Sequence, residues 1–196
     1  MRRTGRFAVV VLGCSALLAC EDTGTGPEAQ TPLFPLAVGN QWTYAPENSA
    51  FGEPFEWTVT ERTGDTVLLS RPSGGSHPGP VELVDGFDEI GLVGPDDGVL
   101  PFYRFAPGET WIHRDPWECD DGPTFRAVEE PNPVVTPAGT FHNTLRIERL
   151  STASCTDAGT MVEWWAPDVG LVRWEELNFY AGGPLTFFLT DYSVNR

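Results

Sequence analysis

There is no lysine in this sequence. All 12 of its basic residues are arginines, set against 28 acidic residues and 3 histidines, for a formal net charge of −16. Arg2, Arg3 and Arg6 stand ahead of every acidic residue, so the rest of the chain carries 9 arginines against 28 acids, a balance of −19. Such a surface repels nucleic-acid phosphates and anionic lipid headgroups. No nucleic-acid partner is expected, and no basic patch can hold the protein on a membrane. The lack of lysine beside many Arg, Gly and Pro residues reads as a GC-rich genome.

Long helices and familiar catalytic signatures are missing too. The chain has 18 prolines and 21 glycines, which leave no long window for a helix. No Gly-x-Ser-x-Gly elbow occurs. His77, His113 and His142 lie in unlike contexts: a Gly/Pro loop, a strand end and a turn after Phe141. No pair of carboxylates stands out for glycoside hydrolysis. Catalytic residues are therefore not assigned.

The N-terminus is more informative. Three arginines precede Phe7 to Leu18, a run without charge. It is the length of a signal-peptide apolar region and too short to span a bilayer. Leu17-Leu18-Ala19-Cys20 follows, and this resembles the bacterial lipobox. The resemblance implies cleavage before Cys20, a diacylglyceryl group on its thiol and an acyl chain, such as palmitate, on the new amine. Two or more chains anchor a protein stably where one does not. The expected division is a signal peptide over 1–19, a tether over 20–32 and one domain over 33–196. The tether, EDTGTGPEAQTP, has no aromatic residue and no aliphatic side chain larger than that of Ala29, and cannot bury enough surface to fold. Glu21, rather than Asp, follows the cysteine and leans towards the outer membrane of the cell envelope. An ordinary secretory signal with unmodified Cys20 is the alternative.

Four cysteines are present. Cys14 leaves with the signal and Cys20 is the lipid site. An exported domain meets an oxidising compartment, so Cys119 and Cys155 read as a disulfide closing a loop of about 36 residues. The chain-entropy model gives such a loop about 4 kcal/mol. Free or metal-binding thiols are the other reading.

Alternation dominates the folded part. In PFEWTVTER, Phe55, Trp57 and Val59 face one way and Glu56, Thr58 and Thr60 the other. TLRIERL, TMVEWWAP, GLVRWEEL and LTFFLTDY continue the theme, with turn signals between them. Period-2 runs of this kind predict antiparallel strands. The expectation is an all-β curved meander or half-barrel of roughly ten strands. VGNQWTY and PGETWIH share Gly-x-x-Trp at Gly39/Trp42 and Gly108/Trp111, which suggests two similar halves.

FPLAVGNQWTY, TPAGTFHNTLRIE and EWWAPDVGLVRWEE also resemble three recurring segments of an uncharacterised family of bacterial secreted proteins and lipoproteins. Here Asp168 stands where that family usually has Gly. The resemblance implies a half-barrel similar to lipoprotein-carrier domains and implies no activity.

Two candidate sites follow. In HRDPWECDDGP, the carboxylates of Asp115, Glu118, Asp120 and Asp121 could offer oxygens to Ca²⁺, although the spacing is not that of an EF-hand. A solvated acidic loop is the simpler reading. The tryptophans are the second. On an open concave face, Trp57, Trp111, Trp164 and Trp165 would line an apolar groove for an acyl chain or hydrophobic peptide; on a covered face they are core. Trp164 and Trp165 must point to opposite faces. The readings carried forward are an anchored envelope domain binding a hydrophobic ligand or partner protein, a structural or adhesion module with a filled core, and a hydrolase of envelope material.

Overall fold

A computed structural model describes residues 32–71, 79–86, 89–94, 96, 98–112, 122–150, 158–178 and 182–195. They lie in one compact unit, Thr31–Arg196. Cys20, Cys119 and Cys155, the carboxylates of the candidate Ca²⁺ loop, and His77 and His113 lie outside the described residues.

The described strands are β1 (Gln41–Pro46), β2 (Phe55–Thr63), β3 (Thr66–Ser70), β4 (Val81–Asp85), β5 (Glu89–Val93), β6 (Val99–Arg104), β7 (Thr110–Ile112), β8 (Thr124–Glu129), β9 (Val134–Thr136), β10 (Gly139–Phe141), β11 (Leu145–Arg149), β12 (Ala158–Ala166), β13 (Gly170–Asn178) and β14 (Gly183–Ser193). A three-residue 3-10 turn, Ser49–Phe51, is capped by Asn48. The all-β expectation holds. Twelve strands form one sheet in the order β6-β5-β4-β3-β2-β1-β14-β13-β12-β11-β8-β7, and β9 and β10 pair separately.

This order requires curvature. β6 and β7 stand at opposite edges, yet only Phe105 to Glu109 join them. A link of that length spans at most about 20 Å. A flat twelve-stranded sheet would hold its edges roughly 50 Å apart. The sheet therefore curls until its edges meet, giving a near-closed barrel. The Trp111 Nε1 on β7 donates to the Phe102 carbonyl on β6 at 3.1 Å and ties the two edges.

The two-halves expectation has a geometric basis. Gly39 and Gly108 both take a left-handed φ, +90° and +87°. The Gly39 N–H donates to the Val59 carbonyl at 2.9 Å, and the Gly108 N–H to the Ala127 carbonyl at 2.8 Å. Val59 and Ala127 in turn donate to Asn40 and Glu109, and these donate to Ala37 and Ala106. Two residues beyond, Trp42 pairs with Trp57 and Trp111 with Phe125. Each half thus opens on the same tight turn and a buried tryptophan. At one junction of the halves β1 pairs with β14 through six residues. At the other, β6 meets β7.

Alternation decides what lies inside. Phe55, Trp57 and Val59 share the inner face with Trp42 and Tyr44, their cross-strand neighbours. On β11, Leu145 and Ile147 are buried, and Arg149, half-buried, ends that row. On β13 the register shifts opposite Val172, so that Leu171 and Trp174 both point inward. Asp168, in the β12–β13 turn, has a φ of +63°. This left-handed conformation is one that Gly adopts freely and Asp tolerates. Pro137-Ala138 is the tight turn of the β9–β10 hairpin, and Phe141 closes its second strand.

The chain reaches the barrel at its proximal end. There the Asp168 N–H donates to the Pro32 carbonyl at 3.1 Å. Phe34 packs its ring on Trp42 and Trp165, each at 5.1 Å. Asn40 Nδ2 donates to the Pro35 carbonyl at 2.7 Å, and Asn40 Oδ1 accepts from Asn195 N. The β9–β10 hairpin lies at this end as well, with Ala138 N donating to the Leu189 carbonyl and Phe141 against Tyr192. The Ser49–Phe51 turn and the starts of β2, β4, β6, β8, β12 and β14 mark the opposite, distal end.

Candidate functional site

The interior is aromatic along its length. Towards the proximal end, Trp165 contacts Phe34, Tyr103 and Phe105, with ring centroids 4.7 to 5.2 Å away. Beyond it, Tyr44, Phe55, Trp57, Trp174 and Phe187 form a second cluster. Tyr44 meets Trp57 and Trp174 edge-on at 4.9 and 5.0 Å. Trp174 stacks on Phe187 at 4.6 Å, and Trp57 on Trp174 at 6.1 Å. Phe55, Trp57 and Phe187 are half-buried, whereas Trp42, Tyr44 and Trp165 are wholly buried. The second cluster thus holds most of the half-buried rings of the aromatic interior, and Tyr103 of the first cluster is half-buried as well.

Among the described residues one carboxylate is buried inside the barrel. Glu163, 5 % exposed, lies on β12 between Ile147 and Trp174. Its Oε1 accepts from the Tyr103 hydroxyl at 3.0 Å and its Oε2 from Trp165 Nε1 at 2.9 Å. Tyr103 belongs to β6, so this bond links the edge strand of one half to a central strand of the other. Neighbouring Tyr44 donates its hydroxyl to the Leu171 carbonyl at 3.0 Å. Burial first, and the Glu163 carboxylate second, push the Tyr44 hydroxyl well above its usual pKa. The parity of VEWWAP already places Glu163 on the face of Trp165; charge alone argued against burying it.

The four candidate tryptophans do not come together. Trp57 belongs to the half-buried cluster, with Tyr44, Phe55, Trp174 and Phe187 around it. Trp111 is buried and bridges the β6–β7 junction. Trp165 is core. Trp164 points outward, as its neighbour's burial demands. Arg173 lies over its ring at 4.4 Å, and Phe188 is on the other side of that guanidinium at 5.5 Å. The Trp164 Nε1 donates to Glu130 Oε2 at 3.3 Å. Around this stack Arg126 and Arg146 pair with Glu148, Arg146 also with Glu130, and Arg173 with Glu175. This outer wall is charge-balanced. Burial raises the Glu130 pKa, but hydrogen bonds from Asn132 and Trp164, with the Arg146 charge, outweigh it and leave the group below its ordinary value.

Among the described residues no group of three His, Cys, Asp or Glu side chains is arranged to hold a metal ion. His142 is exposed on the loop after β10. Among the described residues no helix is long and apolar enough to cross a membrane.

No protein-family description and no curated protein matches this sequence. Two crystal structures are similar in outline. One is of a Bacteroides fragilis protein described as exported, with a YmcC-like fold: 15 % identity, TM-score 0.46, covering 83 % of this chain and 99 % of that one. The other is of a Parabacteroides distasonis protein described as a lipoprotein: 16 % identity, TM-score 0.44, covering 85 % of this chain and all of that one. Likeness at this level carries nothing about activity.

Proposed function

We propose that this is a lipid-anchored protein of the bacterial cell envelope whose barrel binds an apolar ligand against the distal aromatic cluster. The observation behind the ligand site is that three half-buried rings, Phe55, Trp57 and Phe187, gather in one cluster at the distal end of a mostly buried interior. Half-exposed aromatic rings inside a concave wall favour apolar, chain-like or flat molecules. The anchor reading is supported by the three arginines, the apolar run and the lipobox ending at Cys20. The acidic surface supports anchoring by acyl chains rather than by charge.

A fluorescent long-chain fatty acid is the probe. The mature protein should bind it saturably. Trp57→Ala and Phe187→Ala should weaken binding at least tenfold, and Trp164→Ala on the outer wall should leave it unchanged. Equal effects of the inner and outer substitutions, or no saturable binding, would overturn the ligand site. The close stacking of Trp174 on Phe187 favours a second reading in that event, a filled-core structural or adhesion module. Mass spectrometry of protein extracted from membranes tests the anchor separately: the expected species begins at Cys20 and carries diacylglyceryl and acyl mass.

A further inference from the structure

We infer that the proximal end of the barrel is its membrane-facing surface, and that the half-buried aromatic cluster looks away from the bilayer holding Cys20. This rests on the anchor reading given above. The occupant of the proximal surface is then the anchoring bilayer itself, and the reason is where the chain leaves the barrel and how much chain remains.

Pro32 is bonded to the β12–β13 turn at the proximal end, and Phe34, Pro35 and Leu36 are fixed there by Trp42, Trp165, Asn40 and Arg62. Only eleven residues separate Cys20 from Pro32. A random-coil chain of that length has an r.m.s. span of about 19 Å. β13 is nine residues long. At a barrel tilt near 40° such a strand stands roughly 23 Å tall. With the distal end on the membrane, the tether would have to run back along the whole wall. Holding the two ends of such a chain at that distance, rather than close together, reduces its number of conformations about tenfold. Apolar exposure does not decide the matter, because it occurs at both ends. Val38 and Val135 are exposed proximally, and Phe51, Val99, Ile112 and Leu150 distally. Tether length breaks the tie. Val38 and Val135 then meet the headgroup region, while the distal apolar residues lie on the aqueous side.

The test uses the acylated full-length mature protein in phosphatidylcholine vesicles carrying a headgroup acceptor dye. Cys119 and Cys155 are replaced by Ser, and a donor dye is attached to Val135→Cys or to Phe51→Cys. Both positions are exposed, at 67 % and 45 %. Energy transfer to the membrane should be several-fold greater from position 135 than from position 51. Equal transfer, or more from position 51, overturns the orientation and leaves the anchor intact. Absence of lipid mass on Cys20 in the same preparation overturns the anchor, and the orientation with it. If the Ser background does not fold, the same dyes on the protein with both native cysteines give the same comparison after subtracting the signal from the unsubstituted chain.

Discussion

Gly39 and Gly108 are structural counterparts: each holds a left-handed turn whose N–H reaches the residue two places beyond the partner of the following tryptophan. A side chain at either position would meet nothing within 4 Å, so the demand for glycine is conformational. Gly39→Ala and Gly108→Ala should each lower stability by about 1–2 kcal/mol. The two sites share no partner, so the double variant should lose the sum. Gly170→Ala should cost more than either. Its φ is +104°, and an added Cβ would come 3.0 Å from the Phe34 ring. Urea midpoints at constant slope provide the measurement.

The Tyr103–Glu163–Trp165 bonds make a second prediction. Glu163→Ala removes the acceptor of the buried Trp165 Nε1 and of the half-buried Tyr103 hydroxyl, and should cost about 2–3 kcal/mol. Tyr103→Phe removes a single donor and should cost about 1 kcal/mol. If the two residues act as a unit, the double variant will lose less than the sum. Simple additivity in that cycle would show that the bond does not hold the edge strand.

Tyr44 and Glu130 both contribute to the pH response. The folded-state pKa of Tyr44 lies well above the unfolded value near 10. Below pH 10 its contribution is complete. As pH rises from there towards the folded value, the unfolded chain loses the proton first and stability falls. Tyr44→Phe should flatten that alkaline decline. Glu130 is displaced the other way. Its contribution is present above the unfolded value near 4.3 and disappears as pH falls through the folded one. Glu130→Gln should therefore remove part of the acid sensitivity. Thermal unfolding at stepped pH reads both.

Cys119 and Cys155 are proposed to form a cystine. The Leu150 N–H donates to the Thr124 carbonyl at 2.8 Å, extending the β8–β11 ladder by one pair. Cys119 lies five residues before Thr124, and Cys155 five after Leu150. Non-reducing peptide mapping should find the two joined. Reduction should lower stability by about 4 kcal/mol in the loop-entropy account. Two free thiols in freshly extracted protein would contradict the pairing.

Local pattern revealed much of this fold, and long-range closure very little. Strict alternation around Phe55, Trp57 and Val59 places them on the inner face, because side-chain parity is a local property of a strand. The Trp164–Trp165 pair divides between faces for the same reason. Register shifts are harder to see: the extra residue at Val172 lets Leu171 and Trp174 share a face that period 2 denies them. Some strands, such as β5 and β9, are too short or too uniformly apolar to announce themselves. The meeting of β1 with β14, and of β6 with β7, joins residues far apart in the chain, so no local window contains it. Of the aromatic cluster, the sequence singled out Trp57 as a ligand contact but not Phe55 or Phe187. Their place in the cluster depends on where the barrel ends, which depends on that closure.

The link from Phe105 to Glu109 is the sole covalent joint between the two six-stranded halves, and it sits where the described strands share no backbone ladder. Asn195, bonded to Asn40, lies at the same end as Pro32. The protein can therefore be circularly permuted. Splicing Asn195 to Pro32 through a short Gly/Ser bridge and cutting beside Ala106 would reverse the order of the halves in the gene and leave each ladder of the barrel unbroken.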